Sequence, residues 1–472
     1  MLILFFIFFF LFFIWLAWRK PILALALIVV LLPSYQIRFK IGFLPMTVLE
    51  MMILILFLLQ IANLLQIYKL RIKKIIEHWR NLLDGWFWLI LAWLVVATIA
   101  IFVSPSLRQA AGAWKAYFIE PILFLVVLVG LVKTKKGFNL ILAGLFFSAF
   151  YISLWTIAQK LFGFGGVWSL EQWPSTRVWR ATGPFPYPNA LGLYLAPITI
   201  LIFGQLITNY KNCLKFTVYS SVFILSLSAI ILARSEGAIL GILIGLLFYL
   251  FLTLRSTSML HSMKAKIFWG IILLLTVVCL LFILPKSQTL FQKITFQDFS
   301  GRLRLNIWQE TLEMLKDRPI FGAGLAGYQT IMESYHQIPW AEIYLYPHNL
   351  FLNFWSELGL AGLIIFVLIL IKFFYEGFNK IIQIIRTCPN APNNSDERVR
   401  IAEVPPRRDG GALFGCYSLF LVSNLSAMVA LIIHGLVDAP YFKNDLAVLF
   451  WLIVGLSILV NKNFTETKDS PK

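Results

Sequence analysis

Arg302, Arg304 and His348 are the side chains in this chain best suited to chemistry. They bracket a polar segment, residues 286–347, which leads through Tyr346-Pro347-His348-Asn349 into an apolar run. Guanidinium groups pair with phosphate oxygens through a planar fork of donors, and imidazole exchanges a proton near neutral pH. Together they suit chemistry on a phosphorylated substrate. Asp438 follows His434 by one helical turn at the edge of another apolar run. Ionisable groups at membrane depth are costly, so each default reading is functional. Plainer roles stand beside these: helix capping or interfacial hydrogen bonding for His348, and capping or pairing with Lys443 for Asp438.

Other candidates are more open. Arg234-Ser235-Glu236 lies between two apolar runs, either as a phosphate contact or as an ion pair closing a turn. Glu120, followed by Pro121 inside an apolar run, reads as a proton-relay group, a partner for Lys115 or a kink residue. His78, His261 and His336 have no distinctive neighbours. Gly322-Ala323-Gly324-Leu325-Ala326-Gly327 spells the dinucleotide glycine pattern, but a helix rather than a strand is expected before it, so a sharp turn after Pro319 is the better reading. The chain has no Gly-Lys-Thr phosphate loop, no paired-Asp motif and no His-Glu-x-x-His. Any group transfer must therefore use a donor already activated in the membrane, and neither cofactor nor metal is expected.

The elements that position these residues are membrane helices. Hydrophobic residues make up 60% of the 472-residue chain and charged residues 13%, with a mean hydropathy of +0.83. An all-α polytopic membrane protein follows, because no soluble domain of this length hides so much apolar surface. Thirteen apolar runs, of which 21–35 is short enough to be half of a broken element, give about 12–13 transmembrane helices. The first run lacks a preceding basic residue and a small-residue cleavage site, so it reads as a retained span. Most of the 40 basic residues fall on one side when the runs alternate, which makes that side cytoplasmic and the large loop extracytoplasmic. The net charge of +18 fits this bias and contact with anionic membrane lipids rather than nucleic acid. The four cysteines give no disulfide or zinc framework.

Four regions are expected. Residues 1–162 hold the N-terminal spans, and 163–285 hold the central spans with an outer loop at 163–187. Residues 286–347 form the large loop, and 348–472 the C-terminal spans with a disordered cytoplasmic insertion at 386–412, rich in Pro and Asn. Within the large loop, Leu305, Trp308, Leu312 and Leu315 recur at helical spacing, which predicts an amphipathic helix over 302–317 lying along the membrane surface.

Ser300-Gly301-Arg302-Leu303-Arg304-Leu305-Asn306-Ile307-Trp308, then Asp317-Arg318-Pro319-Ile320-Phe321-Gly322-Ala323-Gly324, then His348-Asn349-x-Phe351-Leu352 and Glu357-Leu358-Gly359, occur in the order and spacing of a known family. As a set they resemble the O-antigen ligase and O-antigen polymerase superfamily. Arg180-Ala181-Thr182-Gly183-Pro184-Phe185 with Pro188-Asn189, and His434-Gly435-Leu436-Val437-Asp438, are similar to it too, so the likeness covers about 175–450. The resemblance implies an inverting, metal-independent glycosyltransferase on the outer face of the bacterial cytoplasmic (inner) membrane. Its donor would be a glycan on a polyprenyl (undecaprenyl) diphosphate, and its acceptor another glycan or a lipid-linked sugar. His348, Arg304, Arg302 and Asp438 match catalytic positions, with Arg304 and Arg302 competing for the key loop arginine. Arg234, Arg180, Asn349 and Tyr346 fall to substrate binding. The chain departs from the family's common Ser-Arg-Gly-Ala, having Ser235-Glu236-Gly237-Ala238 with its arginine at Arg234. Ligase and polymerase share these motifs, and a multi-span solute transporter is the alternative of another class.

Overall fold

The computed structural model describes residues 2–42, 44–69, 71–163, 171–172, 179–255, 295–337, 342–387 and 410–463, with Gly270 and Gln292. The apolar run at 266–285 apart from Gly270, His261, Cys388 and residues 388–409 of the insertion lie outside them. In lipid, backbone polar groups must be satisfied within the segment, so apolar runs of this length become helices. In chain order these are α1 (Leu2–Arg19), α2 (Pro21–Val30), α3 (Val48–Ile67), α4 (Ile72–Leu83), α5 (Phe87–Val103), α6 (Leu107–Trp114), α7 (Glu120–Leu131) and α8 (Lys135–Phe162). They continue with α9 (Pro188–Thr208), α10 (Cys213–Ala233), α11 (Glu236–Arg255), α12 (Phe299–Asp317), α13 (Tyr328–Met332), α14 (Leu350–Thr387), α15 (Gly410–Gly435) and α16 (Asn444–Asn463). Two short antiparallel hairpins pair Arg38–Ile41 with Leu44–Thr47 and Glu171–Gln172 with Trp179–Arg180.

The fold is the expected all-α polytopic one. Among the described residues, ten helical stretches are long and apolar enough to cross a membrane, α4 with α5 and α6 with α7 each forming one stretch. α1 and α2 are shorter apolar helices, divided at Lys20-Pro21, where proline cannot continue the backbone ladder.

α9, α15 and α16 are the most deeply buried spans. α11 packs on α15 through Gly237, Gly241 and Gly245, one turn apart. A Cβ at Gly237 would strike the His434 ring, one at Gly241 would lie 2.7 Å from the Ala430 carbonyl oxygen, and one at Gly245 2.9 Å from that of Ser426. Small residues on one face let membrane helices meet backbone to backbone. α6 and α7 are joined by a π turn at Lys115–Ile119. Its wider ring frees carbonyls that α16 and the turn before it fill: Asn444 Nδ2 donates to Ala116 O at 3.2 Å and Tyr441 Oη to Tyr117 O at 2.9 Å. Lys115 pairs with Glu50 rather than Glu120, and Glu120 accepts from Asn444.

α12 is the helix expected at 302–317, with a different buried face. Ile307, Thr311, Met314 and Leu315 are buried, the last two packing with Tyr328 and Met332, while Leu305 and Leu312 are 43% and 42% exposed. Behind α12, Pro319–Gly327 wedges against a break in α14 at Gly359, whose φ of 71° and ψ of −176° only glycine adopts readily. Leu360 N donates to Ile320 O at 3.0 Å, Ala323 N to Ser356 O at 2.7 Å and Leu325 N to Ala100 O at 3.1 Å. Ala326 N donates to the buried Glu357 carboxylate. The glycine pattern at 322–327 is thus a turn, tied by its backbone to α5 and α14.

Candidate active site

Several of the side chains singled out above, His348, Asp438, Arg304 and Tyr346 among them, meet where the large loop enters α14. His348 has a φ of 49°, a left-handed conformation that non-glycine residues adopt at a cost. Asn349 then starts the helix, its Oδ1 accepting from Phe351 N at 3.0 Å and Leu352 N at 3.1 Å while its Nδ2 donates to Leu436 O at 3.1 Å. This turn carries the imidazole to Asp438, with Nδ1 3.6 Å from Oδ1, an ion-pair contact longer than a hydrogen bond. With Nδ1 facing the carboxylate, Nε2 points elsewhere and is the nitrogen available as a base.

Asp438 is 1% exposed and held from three sides. Besides His348, it accepts from Ala439 N at 2.8 Å and from Asn189 Nδ2 at 3.3 Å. Asn189 lies in the first turn of α9 and also accepts from Arg180 at 2.9 Å. Arg180 donates onward to Ala233 O at 2.9 Å and Arg234 O at 3.2 Å, so one guanidinium joins the strand at 179–180 to the turn between α10 and α11. Burial pushes the Asp438 carboxyl up, but contact with His348, the charges of His348 and His434 and the Ala439 amide outweigh it and hold it at about 2. The carboxylate is therefore ionised at any physiological pH. It pairs with His348, not Lys443.

Arg304 is half-buried and donates from Nε to Val437 O at 3.0 Å, the residue before Asp438. Arg302, two residues earlier on α12, is exposed on another face of the helix. Trp308 fixes the helix to the histidine turn by donating to Pro347 O at 2.9 Å. Of the substrate-binding candidates, Tyr346 packs its ring 4.7 Å from that of His348 and meets Tyr187 hydroxyl to hydroxyl at 2.9 Å. Burial, then the Asp438 charge, push the Tyr346 phenol well up, so it stays protonated. Arg234 has an exposed side chain and a φ of 49°, and its carbonyl is drawn in by Arg180. His434 is buried against Gly237.

Two residues of this cluster carry weaker sequence signals. Asn189 sits inside the Pro184, Pro186, Pro188 series that marks the entry to α9, and Lys443 had been legible only as a partner for Asp438. Among the described residues, no group of three His, Cys, Asp or Glu side chains could hold a metal ion.

The fold and this cluster define a polytopic helical membrane protein with a His–Asp pair and arginines gathered at one end of its bundle. Residues 221–367, from α10 through the large loop into α14, match the family model for O-antigen ligase. A protein of Rickettsia conorii, provisionally named a polysaccharide ligase, is 32% identical over 100 residues. That match covers 20% of this chain and 24% of the relative's length.

Proposed function

We propose that the protein transfers a glycan from a polyprenyl diphosphate carrier to an acceptor glycan or lipid-linked sugar at the outer face of the bacterial cytoplasmic membrane. The observation that carries this reading is the meeting of His348 and Arg304, from opposite ends of the large loop, with Asp438, Asn189 and Arg180 from the bundle. His348 Nε2 takes the proton of the acceptor hydroxyl, worth about 10²- to 10⁴-fold, while Asp438 holds the ring and stabilises the imidazolium that forms. The acceptor oxygen bonds to the anomeric carbon as the carbon–oxygen bond to phosphate breaks, its electron pair passing to the diphosphate. That leaving group needs charge compensation more than a proton, which Arg304, Arg180 and Arg234 supply at a low-dielectric boundary. A single displacement inverts the anomeric configuration.

The family match and the gathering of arginines and histidine at one end favour this over a solute carrier, whose polar groups belong near the bilayer midplane. The test is turnover in liposomes with a polyprenyl-diphosphate-linked oligosaccharide, without metal or nucleotide. Release of polyprenyl diphosphate together with a longer or lipid-transferred glycan is expected. Uptake of a solute with no donor turnover would establish the carrier instead.

A further inference from the structure

Lys443 stands just before α16, in a segment locked on both sides. Tyr441 and Asn444 donate to the carbonyls of the π turn, and Lys443 N donates to Tyr441 O at 2.7 Å. Its ammonium lies 3.5 Å from the centre of the Tyr187 ring. The nitrogen is sealed from solvent, and among the described residues it makes no hydrogen bond. Asp438 does not compensate it, since His348, Asn189 and Ala439 N occupy that carboxylate. Asp445, two residues on, is the opposing charge that acts on it.

An ammonium with three donors and no acceptor is costly in such a place. The face of one ring offsets only part of that cost, and the N-terminal end of α16, with its positive dipole, adds to it. Tyr187 links this cation to the reacting groups, because its hydroxyl meets that of Tyr346, whose ring lies against His348. Lys443 is thus linked to the His348–Asp438 pair through two tyrosines, Tyr187 and Tyr346. Burial pulls its ammonium below the usual lysine range.

We infer that Lys443 is an anion-binding residue of the site, whose three donors receive phosphate oxygens of the polyprenyl diphosphate. The assignment of the diphosphate as the source of those oxygens rests on the function proposed above; a phospholipid phosphate offers the same chemistry. In the transfer step the Lys443 ammonium compensates the negative charge that appears on the phosphate when the anomeric bond breaks, without giving up a proton.

The test compares wild type with Lys443→Met and Lys443→Arg in detergent, using farnesyl diphosphate as the probe and ligand-induced thermal stabilisation as the readout. Lys443→Met should bind the probe at least tenfold more weakly, yet melt at the same or a higher temperature without ligand, because it removes a buried nitrogen that makes no hydrogen bond. Lys443→Arg should remain within about threefold of wild type. Unchanged binding by Lys443→Met would overturn the inference. Lys443-dependent stabilisation by phosphatidylglycerol vesicles, with none by farnesyl diphosphate, would reassign the site to lipid and overturn the diphosphate assignment. Donor turnover separates the two readings. A wild type that binds farnesyl diphosphate through Lys443 but transfers no glycan removes the transferase and leaves the anion site. A wild type that transfers glycan, with Lys443→Met equal to it in KM and kcat, removes the anion site and leaves the transferase.

Discussion

At the scale of residues, the geometry separates two arginines that the sequence leaves in competition. Arg304 reaches the backbone of Val437 beside Asp438, whereas Arg302 is exposed on α12. Arg304→Ala should lower kcat/KM for the lipid-linked donor by about 10²- to 10³-fold, and Arg302→Ala by less than about tenfold; equal losses would return the two to competition. Asp438 gives a prediction in pH. Its folded value of about 2 lies below the ordinary 3.8, so its stabilisation is fully present above the ordinary value and is lost as pH falls through about 2. The shift corresponds to about 2 kcal/mol. The melting temperature of the detergent-solubilised protein should therefore exceed that of Asp438→Asn at pH 6, and the gap should close toward pH 2. A pH-independent gap would contradict the ion pair. His348 and Asp438 were legible from sequence because ionisable side chains are conspicuous at the edge of an apolar run. Asn189 was marked only through the Pro188-Asn189 resemblance and Lys443 only as a possible partner of Asp438, since an amide near prolines or a lysine at a helix start is ordinary until its tertiary neighbours are known.

At the scale of elements, the break in α14 at Gly359 and the turn at 319–327 form one joint that anchors the loop end carrying His348. A Cβ at Gly359 would strike the Ile320 carbonyl oxygen, and its backbone conformation is closed to other residues. Gly359→Ala should cost about 2–4 kcal/mol, read as a lower melting temperature, together with reduced turnover as the joint shifts. A variant as stable and as active as wild type would show that the joint tolerates a straight helix. The periodicity of 302–317 gave the helix but not its face. Leu305 and Leu312 match the apolar spacing and remain exposed, while Ile307 is buried and Met314 packs with Tyr328 and Met332. One stripe of an amphipathic helix meets protein and the other is left exposed, and spacing alone does not assign which is which.

At the scale of the whole molecule, the membrane class was legible because the requirement that lipid places on the backbone is written in length and hydropathy. The run at 21–35 was legible as half of a broken element from its length and a kink at Glu120 was one of three readings, but the π turn and the roles of its carbonyls depend on Tyr441 and Asn444, more than three hundred residues away. The bundle's most buried helices, α9, α15 and α16, lead directly into Asn189, Asp438 and Lys443, so the rigid centre of the fold and the proposed chemistry share one end. The most direct measurement is the initial rate of polyprenyl diphosphate release from a lipid-linked oligosaccharide in liposomes, for wild type and His348→Ala side by side. The account predicts steady release coupled to glycan transfer in the wild type and a loss of about 10²- to 10⁴-fold in the variant, with its melting temperature preserved. Equal rates in a folded His348→Ala protein would contradict it.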